Sequence, residues 1–147
     1  MKMSFWVYKC NANDHPSHVC RGDWEEVFSQ NRPMPWGKTE FIPAFRKLSV
    51  GDLVIAYQTD RNEIIGLAEV VKLRRYDEHQ ELIVRPVERI GVHVRPLKKL
   101  DKRIAALSCF KQAKIATIYD ISTADAWHLL NVAVAQAGIQ KAIYSAS

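Results

Sequence analysis

Cysteine is scarce and unpatterned in this chain: Cys10, Cys20 and Cys109 are an odd number without the dense spacing of a disulfide scaffold. That scarcity argues against a fold held by disulfides and fits a reducing, cytoplasmic compartment better than secretion. Long apolar runs are missing as well. The opening MKMSFWVYKC holds only a handful of apolar side chains before the polar NANDHPSH, too few for a signal-peptide core or a membrane span. Internal repeats, low-complexity tracts and linker-like breaks in composition are absent. The 147 residues, 48% of them hydrophobic, therefore read as one soluble domain spanning 1–147 with an ordinary core.

Catalytic and metal motifs are equally thin. Gly37-Lys38-Thr39 matches the end of a phosphate loop, but Arg32 stands where the first glycine belongs, two prolines intervene and no apolar strand precedes it. Cys10, His15, His18 and Cys20 offer zinc-ligand types within eleven residues, without a paired C-x-x-C or helical histidine spacing. Cys10 with one of these histidines would make a nucleophile and base, yet no oxyanion element accompanies them. Asp77, Glu78 and Glu81 read as a solvated turn rather than as paired acid and base. No metal or cofactor is implied.

Positive charge is present, and concentrated. The net charge is +5, and residues 72–103 carry ten Lys/Arg against five Asp/Glu, while the remainder balances. A surface that meets phosphates has this character, although long charged side chains also cover ordinary exposed strands.

The apolar pattern predicts an α+β fold on a small, bent or closed sheet of five or six strands. Ser4–Cys10 opens as a strand rich in aromatic and branched residues. Asp23 caps a short helix, DWEEVFSQ, with Glu25 and Glu26 in its first turn. NRPMPWGK, with two prolines and a glycine, reads as a loop. Residues 48–71 form a hairpin, LSVGDLVIAYQ and EIIGLAEVV joined by TDRN, in which Gly66 marks a bulge or a close approach. Further strands are expected at Glu81–Val87, Gly91–Leu97 and Ile115–Ile118. A last helix begins at a capping-box-like Ser122/Asp125 pair, shows Trp127, Leu130 and Val134 on one face, and stops at Gly138.

Trp36 has no periodic element to hide in. A displayed indole stacks on a nucleobase, which is worth about 1–3 kcal/mol per base; the alternative is a loop anchor, since tryptophan is mostly buried. Trp6 and Trp127 have apolar neighbours suited to a core, and Trp24 is undecided.

Tyr8-Lys9-Cys10-Asn11, Trp36-Gly37, Leu48–Tyr57, Ile65–Val70 and Ala116–Ser122 before a helix resemble the EVE domain, a PUA-like fold related to YTH domains. The resemblance spans nearly the whole chain. It implies a small curved β-barrel of five to six strands with flanking helices, and a pocket for a single modified nucleobase of DNA or RNA, with no catalysis. Lys9-Cys10-Asn11 falls where YTH domains carry Lys-Ser-Asn, so that Asn11 and the backbone of Cys10 would reach a base edge. Trp36 and Gly37 match the first cage tryptophan and the small residue after it, and Tyr57 is a candidate wall. Lys9, Lys38, Arg74 and Arg75 would hold phosphates. After Val71 only Tyr76 precedes the basic segment where a second cage tryptophan is expected.

Two other classes compete. ASCH domains, PUA-like relatives that include small amidohydrolases, carry G-x-K-x-x-E-x-R; here Gly37-Lys38-Thr39-Glu40 has the residue types at another spacing. A protein- or small-ligand-binding module would use the basic surface for an acidic partner.

Overall fold

A computed structural model describes residues 3–13, 20–40, 43–76, 79–110 and 117–146. Seven strands and four helices are arranged along the described chain. They are β1 (Phe5–Asn11), β2 (Cys20–Arg21), α1 (Trp24–Gln30), β3 (Met34–Glu40), β4 (Leu53–Gln58), β5 (Glu63–Arg75), β6 (His79–His93), α2 (Val94–Leu100), α3 (Lys102–Ala105), β7 (Ile118–Ile121) and α4 (Thr123–Ala146). The strands make one sheet in the order β2-β1-β4-β5-β6-β3, and β7 pairs with β1 beside β2. None of the described helices is long and apolar enough to cross a membrane.

β1 is buried along its whole length, because β4 lies parallel on one side and β7 and β2 share the other. Its alternation feeds two cores. Phe5 and Val7 face one, with Ile55, Leu97, Ile104 and the α4 residues Ala126, Leu129 and Ala133. Trp6, Tyr8 and Cys10 face the other, with Trp24 and Val27 of α1, Trp36 of β3 and Phe45. Asp52 ties the start of β1 to the hairpin: its carboxylate accepts hydrogen bonds from the Ser4 amide, the Ser49 amide and the Trp6 indole at 3.1, 2.9 and 3.0 Å.

The 48–71 hairpin forms as expected and supplies the bend. Between β5 and β6 the register slips at 64/66, 67/68 and 70/72, and each irregularity adds local twist. Gly66 sits at one of them, where a Cβ would lie 2.4 Å from the Glu88 carbonyl oxygen and 2.5 Å from the Phe28 ring. The curl brings the two ends of the sheet together. A Cβ on Gly22, beside β2, would stand 3.1 Å from the Trp36 ring on β3.

Four expectations are corrected. The Pro-rich 33–40 segment is β3, an edge strand paired with β6 on one side, and an edge is where a sheet tolerates Pro35. The two strands expected near Glu81–Val87 and Gly91–Leu97 are one strand, β6, followed by α2; Pro96 lies in the first turn of that helix, where its missing N–H costs nothing. The Ile115–Ile118 strand lies later, as Ile118–Ile121, with residues 115 and 116 outside the described residues. α4 begins where expected, with the Ser122 hydroxyl accepting from the Asp125 amide at 3.2 Å, but it runs through Gly138 to Ala146. Its buried stripe is Ala126, Leu129, Leu130, Ala133 and Ala137, leaving Trp127 45% and Val134 41% exposed. Small residues bring this helix close to the sheet, and Trp127 meets only the rim, edge-on to Phe5 at 5.2 Å.

Candidate functional site

The sequence pattern left Trp36 either displayed or packed down, and it is packed: its side chain is 7% exposed. The indole closes the seam between the sheet ends, with its ring 4.7 Å from that of Trp24, tilted by 36°. Trp24 is itself anchored. Its indole N–H donates to the Tyr8 carbonyl at 3.0 Å, and its amide donates to Gln58 Oε1 at 2.9 Å. Gln58, fully buried, uses its Nε2 to reach the Gly22 carbonyl at 2.9 Å and Asp60 Oδ1 at 2.7 Å. One side chain thus fixes the backbone on both sides of the Trp24 turn.

Two polar groups of this cluster are unmatched. Trp36 Nε1 and the Tyr8 hydroxyl are buried and make no hydrogen bond of ordinary geometry. The indole still lies close enough to the Cys10 thiol to favour its thiolate, and Tyr8 does the same for Cys20. Burial, reinforced by Cys20, pushes the Cys10 thiol well up, whereas a hydrogen bond from Cys10 pulls Cys20 down against its own burial. A buried donor without a strong acceptor costs about 1–3 kcal/mol, so these two groups are a local debit in stability.

Strand alternation separates the residues expected to line one pocket. Cys10 shares the cluster of Trp36, but Tyr57 belongs to the opposite core, with its hydroxyl donating to Asn62 Oδ1 at 3.3 Å and burial pushing its pKa up to about 12. It does not wall a site with Trp36; the second ring there is Trp24. Lys9 is 8% exposed, its ammonium 5.9 Å from the centre of the Tyr119 ring, so it presents no surface charge. Asn11 is buried in a scaffold role, donating to Thr59 Oγ1 at 3.1 Å and accepting from the Asn13 amide at 2.9 Å. The Cys10 carbonyl is held by the Thr59 amide at 2.9 Å and hydroxyl at 3.2 Å. Gly37 and Lys38 lie on β3 after Trp36, and their side-chain positions lie outside what is described, as do His15 and His18 altogether. Among the described residues no group of three or more His, Cys, Asp or Glu is placed to hold a metal ion.

The residues that sequence reasoning missed are Trp24, Gly22, Cys20 and Gln58. Gln58 was findable, because the residue after Tyr57 on a strand must point to the other face.

Much of the basic segment is neutralised. Arg74 pairs with Glu81 at 3.3 Å, Arg85 with Glu69, Arg89 with Glu25, and Arg103 with Asp125 at 3.0 Å. Arg75 is exposed and lies 3.5 Å from the Arg46 carbonyl. Both Arg74 and Arg75 end β5 in the row beyond Leu73, which pairs with Leu82 and through it with Trp36. A cleft of about 530 Å³ opens at the far end of β1, around Ser4, Trp6, Lys47 and Tyr119, and includes none of the expected pocket residues.

No protein-family model and no curated protein sequence matches the chain. Solved structures do. A protein from Leishmania major superposes with TM-score 0.67 at 20% identity, over 92% of this chain and 97% of its own. Human THYN1, solved in complex with DNA containing 5-methylcytosine, gives TM-score 0.67 at 15% identity over 88% and 97%. The YTH domain of Zygosaccharomyces rouxii MRB1, solved with N6-methyladenosine RNA, gives 0.55 at 17% over 90% and 87%. With its curled seven-stranded sheet and flanking helices, the chain has an α+β, PUA-like fold, shared with THYN1 and the YTH domain.

Proposed function

We propose that this chain is a non-catalytic nucleic-acid-binding module that takes one modified base into the seam now filled by Trp36. The observation that carries the reading is the pairing of Trp36 with Trp24 above two buried, unmatched donors, Trp36 Nε1 and Tyr8 Oη. Such groups suit a ligand that brings both a π-face and acceptors. Support comes also from two domains of the same fold that were solved on methylated DNA and RNA.

Ring centres 4.7 Å apart leave no room for a base between the tryptophans, so the seam opens on binding. β3 is an edge strand with a register shift between Trp36 and Thr39, and β2 is two residues long. Either can yield without unpicking the sheet. Cys10, Gly37 and Asn11 border the opening, and Asn11 reaches a base edge by exchanging its bonds to Thr59 and Asn13. Arg75 and Lys38 then take phosphates, and Arg74 joins them by exchanging its pair with Glu81. Tyr57 and Lys9 support the opposite core instead.

The test is a panel of DNA and RNA oligonucleotides with modified and unmodified bases, read by tryptophan fluorescence across a salt series. Binding is expected to weaken linearly in log–log with salt. Trp36→Ala should cost about 1–3 kcal/mol of affinity. Absence of binding to every nucleic acid, or turnover of acylated nucleosides abolished by Lys38→Ala, would refute the reader reading and favour a hydrolase.

A further inference from the structure

From the register of β1 and β2 we infer that Cys10 and Cys20 form a reversible disulfide that clamps the seam shut. The two residues are direct partners across a parallel strand pair, and both side chains enter the same buried cluster. Partners across adjacent strands stand about 4.8 Å apart, within the roughly 4.4–6.8 Å between Cα atoms that a disulfide spans. Both thiols are free in this structure, so the fold stands without the bond.

The pair is asymmetric in a way that suits exchange. Cys20 is 8% exposed on a two-residue edge strand, and its thiol is the more acidic of the two; Cys10 is fully enclosed. Cys20 is therefore the attacking thiolate and Cys10 the resolving thiol. With a small-molecule disulfide such as oxidised glutathione as oxidant, the Cys20 thiolate attacks one sulfur and expels the first glutathione thiolate. Cys10 gives up its proton and attacks Cys20 Sγ, and the second glutathione thiolate leaves. The protein loses two electrons and two protons, and the oxidant ends as two thiols. Cys109 takes no part: it lies in the opposite core, and burial pushes its thiol up to about 11.

The consequence is mechanical. Gly22, two residues beyond Cys20, packs on the Trp36 ring, and its amide donates to the Asn11 carbonyl at 2.9 Å. A covalent tie from β2 to β1 holds that backbone against Trp36. Transient cysteine pairs of this kind are the form disulfides take in reducing compartments.

The experiment incubates the intact protein with oxidised glutathione, alkylates the remaining thiols and maps peptides by mass spectrometry, with hydrogen exchange on the same samples. Expected are a linked peptide joining residues 10 and 20, an alkylated Cys109, and amide exchange around residues 20–22 slowed about tenfold or more. Reduction should reverse all of it, and Cys20→Ser should show no link. Three alkylated cysteines, a glutathione adduct left unresolved on Cys20, a link to Cys109, or unchanged exchange in the linked protein would each overturn the inference. None of these readouts involves nucleic acid, so they stand or fall apart from the reader reading.

Discussion

The two faces of the sheet are packed with different chemistry. On the α4 side the interior is built mainly from Val7, Ile55, Val92, Leu97, Ile104 and Leu129, with alanines where the helix comes closest and with Phe5, Tyr57, Phe110, Tyr119 and Cys109 but no tryptophan. On the α1 side aliphatic residues such as Val54, Ile65, Leu82 and Val84 pack with the three buried tryptophans, Trp6, Trp24 and Trp36, and with Tyr8, Phe45 and two thiols. Aliphatic groups contribute buried area and nothing that needs a partner. Aromatic groups with polar handles contribute area and an obligation. Within the second core that obligation is met unevenly: Trp6 donates to Asp52 and Trp24 to the Tyr8 carbonyl, while Trp36 and the Tyr8 hydroxyl are left over. Trp6 and Trp24 are thus held by hydrogen bonds as well as by packing, whereas Trp36 is held by packing alone.

The largest effect should come from removing a wall. Trp24→Ala empties a fully buried site and removes the indole hydrogen bond to the Tyr8 carbonyl, and is expected to cost about 3–5 kcal/mol in denaturant unfolding. Leu129→Ala in the opposite core should cost about 2–5 kcal/mol. Because the two residues share no core, the double variant should lose the sum to within about 0.5 kcal/mol, whereas Trp24 and Trp36, in ring contact, should couple. Strong coupling between Trp24 and Leu129 would mean that the sheet does not insulate its faces.

A smaller contrast uses one substitution in two places. Gly22→Ala puts a methyl 3.1–3.2 Å from Trp36 Cη2 and Cζ2, and the pinned indole must shift; about 1 kcal/mol of stability should be lost. Gly138→Ala, exposed on α4 with nothing within 4 Å, should gain about 0.5–1 kcal/mol through helix propensity. Thermal unfolding of both variants measures the difference in sign. Equal gains would show that the seam is loose already and does not need to open.

The same difference governs what could be read in advance. The hairpin, the α1 cap at Asp23 and the Ser122 start of α4 were legible because each depends on neighbouring residues: alternation, a side chain accepting from Glu25 N, a hydroxyl accepting from Asp125 N. β3 was not, since its prolines signal a loop locally and become tolerable only when the curl of the sheet leaves that strand an edge. Trp36 was singled out as a ring without a periodic element, yet it lies buried on β3, and its partner Trp24 sits twelve residues upstream on a different element and meets it only through sheet closure. Tyr57 was a candidate wall beside Trp36, but the alternation of β4 puts it with Ile55 in the opposite core, while Val54 and Ala56 face the Trp36 side.

The finest expected effect is pH dependence at the seam. Burial opposes ionisation of Asp60, but hydrogen bonds from Gln58 and the Ala12 amide outweigh it and hold its pKa below the ordinary carboxylate value. A group whose folded pKa is depressed adds stability above its unfolded pKa and loses it as pH falls through the folded one. Acidification below the usual aspartate range should therefore slacken Gln58, which holds both Gly22 and the Trp24 amide. Hydrogen exchange at pH 7 and near pH 3 should show residues 22–24 losing protection beyond the general loss on acidification. In Asp60→Asn, which does not ionise, that extra loss should disappear, and an unchanged profile would mean that Gln58 is held by its other two partners alone.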